Sequence, residues 1–132
     1  MRILICGLPS AGKTTLAKAL AERLGFARFS ADDVRSEAND WDFSPYGRER
    51  QLKRMVALSR SAENTICDFI CPTEKARAEF GADFLILMDT VKSSSYPDTD
   101  AIFEKPVLPD LQLSSFEYDI NFVVEVIERA GR

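Results

Sequence analysis

Residues 2–16 read Arg2-Ile3-Leu4-Ile5-Cys6-Gly7-Leu8-Pro9-Ser10-Ala11-Gly12-Lys13-Thr14-Thr15-Leu16. The apolar run 2–6 is what a strand buried on both faces of a parallel sheet requires. From Lys13 the apolar spacing changes period. Leu16, Ala19, Leu20 and Leu24 share one face of a helix over 13–24, and Gly25 stops it. Between strand and helix lies Gly7-x-x-x-x-Gly12-Lys13-Thr14, the phosphate-binding loop pattern in the context it needs. Its glycines let backbone N–H groups turn inward around phosphate oxygens, helped by the positive end of the helix. Lys13 can reach the β- and γ-phosphates, and the Thr14 hydroxyl can ligate Mg²⁺. A glycine turn would also join a strand to a helix, but gives no packing reason for Gly-Lys-Thr. Gly7, Ser10, Ala11, Gly12, Lys13, Thr14 and Thr15 are therefore the expected nucleotide-binding residues, with ATP or ADP as ligand and Mg²⁺ as cofactor.

Outward from this loop, strands and helices alternate. Residues 27–30 and 64–68 read as short strands and 83–88 as a longer one. A brief helix starts near Asp32. Pro45 sits at a first helical position before 46–62, where Leu52, Met55 and Ser59 share a face. Thr73 caps a polar helix over 73–79. Residues 90–110 hold three prolines and no periodicity, which reads as a mobile loop. Leu111 to Leu113 suit an edge strand, and Ile120, Val123, Val124 and Ile127 mark a final helix over 117–130. The expectation is one α/β domain over 1–132, a parallel sheet with helices.

Composition narrows the function classes. The chain has 132 residues, 45% apolar and 29% charged, an ordinary globular balance. No apolar run is long enough to cross a bilayer, and the N-terminal stretch lacks a signal-peptide layout, so a cytoplasmic protein is expected. There is no histidine, which excludes Ser-His and Cys-His nucleophile pairs and His-based metal sites. The three cysteines, Cys6, Cys67 and Cys71, read as reduced core thiols. A net charge of −4 argues against a general nucleic-acid-binding field.

Ser30-Ala31-Asp32-Asp33-Val34-Arg35 follows the second strand. Ligands of open parallel sheets lie beyond the carboxyl ends of the strands, so this segment should face the phosphate loop. An aspartate there can take a proton from an attacking hydroxyl or hold Mg²⁺ through water. Arg35 would bind an anionic group on the acceptor. Asp32 or Asp33 can equally cap a helix, with Arg35 a solvated charge.

GLPSAGKTTLAKALAERL, SADDVR and DFSPYGRERQLKR together resemble the adenylyl-sulfate kinases (APS kinases), which phosphorylate the 3′-hydroxyl of adenosine 5′-phosphosulfate. The resemblance continues through Asp68-Phe69-Ile70-Cys71-Pro72 and from Tyr96 to Pro106, so it spans residues 1 to about 110. It implies a P-loop kinase fold with a parallel sheet of about five strands and helices on both faces. It implies Asp32 as general base, Lys13 on the transferring phosphate, and Phe43 and Tyr96 sandwiching the acceptor's adenine. Arg35 and Arg48 would grip the phosphosulfate. Phe43 and Tyr96 also suit ordinary loop aromatics, and Arg48 a solvated helix face. Three departures stand out. Ser30 replaces the family's first motif aspartate, and residues 90–110 form a shortened lid. Asp68 puts an acid at the tip of the third strand, where it can serve with Thr14 and Asp32 as a metal ligand or simply cap a helix. The nearest lid cations are Lys92 and Lys105, and a second subunit of a homodimer could bring an arginine instead.

Asp-Asp-x-Arg is also similar to the corresponding segment of polynucleotide 5′-hydroxyl kinases and small nucleoside kinases, with the 48–54 basic stretch facing the acceptor. A third class, a non-catalytic nucleotide-binding module, fits the short lid.

Overall fold

The computed structural model describes residues 1–131. Its eleven elements are β1 (Arg2–Cys6), α1 (Lys13–Leu24), β2 (Ala27–Ser30), α2 (Ala31–Ala38), α3 (Pro45–Ser59), β3 (Thr65–Asp68), α4 (Glu74–Phe80), β4 (Phe84–Met88), α5 (Pro97–Ile102), β5 (Leu111–Leu113) and α6 (Ile120–Ala130). The five strands form one parallel sheet in the order β2-β3-β1-β4-β5. The strand bearing the phosphate loop therefore sits at the centre, and β3 lies between it and β2.

Alternating side chains of the strands feed two cores. Ile3, Ile5, Ile66, Ile86 and Met88 pack with Leu16, Leu20, Val123 and Ile127 on one face. Leu4, Cys6, Cys67 and Leu87 pack with Val34, Leu52, Met55 and Phe80 on the other. Both faces are thus covered, which is what allows β1 and β3 to be apolar on both sides. The free cysteines are buried in the second core, and burial pushes all three thiols up, Cys6 to about 11.

Three helices depart from the sequence expectation, the first being α3, which ends at Ser59 rather than at 62. Residues 97–102 form α5 inside the segment read as loop; Pro97 at its start and Asp98 and Asp100 in its first turn are the local signals, but six residues are too few to show a period. The last helix begins at Ile120 rather than near 117, capped by the Asp119 side chain. In α1 the buried face is Leu16, Ala17 and Leu20, with Ala19 half-buried.

The 40–44 connection between α2 and α3 is held unusually tightly. Asp40 accepts from Arg50 and Arg54, and Asp42 accepts from Arg50. Those two arginines hold the Asp40 carboxyl well below its usual range. Arg35 donates to the Asp40 and Asp42 carbonyls, and Arg48 donates to that of Phe43. The loop lies so close to α3 that a Cβ on Gly47 would stand 2.0 Å from the Asp42 carbonyl oxygen. Helix propensity alone would make Gly47→Ala stabilising. The clash reverses the sign: a loss of about 2 kcal/mol is expected, read as a drop of several degrees in Tm. An unchanged or raised Tm would show that the loop gives way freely.

Candidate functional site

The loop between β1 and α1 is built on backbone that side chains resist. Gly7 has φ 155°, and a Cβ there would lie 2.6 Å from the Met88 carbonyl oxygen. Gly12 takes the left-handed conformation at the N-cap of α1, and Ser10 is also left-handed at φ 65°. No side chain caps α1, so the N–H groups of its first turn, from Lys13 to Thr15, have no capping partner. Such donors at a helix N-terminus suit phosphate oxygens. Thr90 secures the loop from β4 by donating its hydroxyl to the Ala11 carbonyl at 2.7 Å. Lys13 folds back to donate to the Leu8 carbonyl at 2.7 Å. Burial lowers its ammonium pKa to about 8, against the opposing pull of Asp68, Cys6 and Asp32.

Beside the loop lies the Asp68 carboxylate, at the carboxyl end of β3 and almost fully buried. Thr14 Oγ1 donates to its Oδ1 at 2.8 Å, and Ser30 Oγ donates to its Oδ2 at 2.5 Å. Burial raises the Asp68 pKa, while Ser30, Thr14, Lys13 and Arg28 pull the other way. The structure thus brings Lys13, Thr14 and Asp68 together. Asp32 lies in the exposed first turn of α2, close enough to help hold the charge of Lys13, and its side chain makes no hydrogen bond among the described residues. It is an accessible carboxylate near the loop.

The expected acceptor residues gather around α2, α3 and α5. The Arg35 guanidinium stacks on the Phe43 ring with its carbon 4.3 Å from the centroid, while Arg35 itself is buried. One of its nitrogens is committed to the 40–44 loop, so it is a fixed charge rather than a solvated one. Arg48 bridges the Phe43 carbonyl and the Thr99 hydroxyl of α5, at 2.7 and 3.1 Å. Tyr96 caps α5 and is exposed, as is one half of Phe43. Of the lid cations, Lys105 is paired with Asp89 at 2.9 Å. Lys92 lines a cavity of about 280 Å³ between Leu8 and the 88–105 segment, with Asp100 and Phe103.

Sequence reasoning treated Ser30 only as a lost aspartate. In the parallel register Ser30 stands opposite Asp68, so an acid gained and an acid lost at neighbouring strand tips was the available signal. Phe116 was missed altogether. Its ring lies 3.4 Å from where a Gly12 Cβ would be, and it is largely exposed after β5.

The sheet order, the central strand and the uncapped glycine loop define a kinase-like P-loop fold. Residues 3–82, more than half of the chain, match a family model described as an AAA domain, and the chain belongs to that family. Its fold is similar to that of APS kinase CysC from Mycobacterium tuberculosis, solved in complex with AMPPNP and APS, with TM-score 0.73 and 20% identity over 97% of this chain and 95% of that one. It is also similar to shikimate kinase from Aquifex aeolicus, with TM-score 0.69 and 16% identity over 98% of this chain and 95% of that one. A gluconokinase from Sinorhizobium meliloti 1021 gives TM-score 0.67 and 13% identity, covering 97% and 89%. No curated protein matches the sequence. At these identities the likeness concerns the fold, and the neighbours differ in the acceptor their names state. No helix among the described residues is long and apolar enough to cross a membrane.

The lowered Lys13 pKa gives a pH signature for nucleotide binding. Below about 8 the lysine is already charged, so ADP measured without metal should bind without taking up a proton at this group. Above that value binding must recharge it, and affinity should fall by up to about tenfold per pH unit with proton uptake. Calorimetry in buffers of different ionisation enthalpy reads the uptake, and Lys13→Ala should remove ADP binding. Equal ADP affinity in Lys13→Ala would overturn the nucleotide site.

Proposed function

We propose that this chain is an ATP- and Mg²⁺-dependent phosphotransferase to an alcohol group, with the 3′-hydroxyl of adenosine 5′-phosphosulfate as acceptor. The observation that carries the transfer reaction is the Thr14–Asp68 pair set against the open first turn of α1 and Lys13. The acceptor assignment is supported by the Arg35–Phe43 stack and the Arg48 link to α5 beside Tyr96.

The donor set suits Mg²⁺. Hydroxyl and carboxylate oxygens are hard ligands, and Mg²⁺ is commonly held by one or two carboxylates plus substrate phosphates. No group of three or more His, Cys, Asp or Glu able to hold a metal occurs among the described residues, which fits an ion carried largely by the nucleotide. Thr14 and Asp68 would hold it, with Asp32 able to act through water. Bound there, the ion would supply charge neutralisation on the β- and γ-phosphates.

The residues divide the remaining work. The α1 N–H groups and Lys13 bind the phosphates, Lys13 exchanging the Leu8 carbonyl for a phosphate oxygen. Phe43, flat and half exposed, stacks with Tyr96 on the purine, since stacking needs only π-surface. Arg35 and Arg48 face the acceptor's anionic end. Asp32 takes the proton of the acceptor hydroxyl as its oxygen bonds to the γ-phosphorus and the bond to the β-phosphate oxygen breaks, leaving ADP.

A second reading has its own support. Trp41, on the α2–α3 connection with Phe43, and Tyr46, in the first turn of α3, are both exposed, more aromatic surface than one base needs. That favours a polynucleotide 5′-hydroxyl acceptor, for which stacking and phosphate contacts combine.

Purified protein with labelled ATP, Mg²⁺ and adenosine 5′-phosphosulfate should yield a 3′-phosphorylated product. Asp32→Asn should bind ATP as the parent does while losing at least about a hundredfold in turnover. Product from an oligonucleotide 5′-end alone would select the second reading. ATP binding without transfer to any of these, or to shikimate or gluconate, would leave a nucleotide-binding module.

A further inference from the structure

Asp68 does not sit alone. Its Oδ2 accepts from Ser30 Oγ, and Ser30 Oγ accepts from Arg28 Nη1 at 2.6 Å. Its Oδ1 accepts from Thr14 Oγ1. Ser30 and Asp68 are each 3% exposed and stand opposite one another in the β2–β3 register. A serine hydroxyl has one proton. With Arg28 donating to the oxygen, that proton is directed to Asp68, so the chain has one polarity, from Arg28 through Ser30 to the carboxylate. Each carboxylate oxygen is then fixed by one hydroxyl, one from β2 and one from α1. Thr14, with its own proton given to Asp68, keeps its lone pairs for a cation.

We propose that Ser30, backed by Arg28, is a positioning residue that aims the Asp68 carboxylate for Mg²⁺ at the phosphate loop. The proposal rests on the reading of Thr14 and Asp68 as the metal-facing pair. It gives the β2 strand, outside the phosphate loop, a part in metal binding. The serine hydroxyl donates a hydrogen bond to the one carboxylate, where a carboxylate at position 30 would repel it. Arg28 is half-buried and, among the described residues, its other charged neighbour within 4.0 Å is Asp33, at 3.9 Å, so its charge is available to the relay. Hydrogen-bond partners of metal ligands commonly govern metal affinity by about ten- to a hundredfold.

The test compares ATP dissociation constants by calorimetry in saturating Mg²⁺ and in EDTA; their ratio is the metal enhancement. Ser30→Ala should lower the enhancement about tenfold and leave metal-free ATP binding near that of the parent. Ser30→Thr, which keeps the hydroxyl, should retain it. Arg28→Met, at a site partly open to solvent, should lower the enhancement in the same direction and keeps the test alive if Ser30→Ala folds poorly. An unchanged enhancement in both Ser30→Ala and Arg28→Met would overturn the proposal. So would an equal loss with and without metal, the mark of a purely structural serine. Asp68→Asn separates the two levels. If it lowers the enhancement while Ser30→Ala does not, only the relay fails; if it keeps the parent's enhancement, the metal reading fails and the relay with it.

Discussion

The Asp68 carboxylate is the constraint around which this molecule is organised. A buried acid costs several kcal/mol unless its charge is met by donors. Here the donors come from two different elements, Thr14 of α1 and Ser30 of β2, with Lys13 and Arg28 nearby. Satisfying one side chain therefore fixes the start of α1 against the tips of β2 and β3. The parallel sheet makes this possible by delivering strand ends, loop and helix N-terminus to one edge. Glycine at positions 7 and 12 then lets the backbone close over that edge.

The central strand and phosphate loop were legible because both are local patterns. Residues 2–6 are apolar without interruption, and the eight-residue loop carries its geometry in its residue types. The parallel sheet followed from the alternation of short apolar runs with amphipathic segments, while its count of five strands rested on the resemblance to the adenylyl-sulfate kinases. What was not legible depends on register or on very short elements. The acid lost at Ser30 and the acid gained at Asp68 only hint at a partnership, since their pairing is decided by how β2 and β3 align. Helix α5 is shorter than two turns, below the length at which a period can be read. The role of Arg35 was half visible: its position after Asp32 is a motif, but its stacking on Phe43 and its bonds to the 40–44 carbonyls are tertiary facts.

The proposed acceptor side is built differently from the proposed nucleotide side. Around the phosphate loop, specificity comes from backbone conformation. Around Phe43 it comes from arginines and acids that tie the 40–44 connection to α3, with Gly47 allowing the close approach. Aromatic rings carried on a loop fixed in this way lose little freedom when a flat ligand stacks on them, which favours binding. The kinase-like structures similar to this chain share the first construction as a fold. In the proposed reaction, the second is where acceptor choice would reside.

The Arg48 bridge has a mechanical meaning. One guanidinium joins the Phe43 carbonyl to the Thr99 hydroxyl, and so ties the acceptor loop to the short helix of the 90–110 segment. Ser94, bonded to Asp100, closes the same segment on itself. A flap fastened at its middle and folded onto its own helix has little travel left. In the proposed phosphotransferase such a segment would trade gating, the usual means of excluding water, for a site assembled before either substrate arrives.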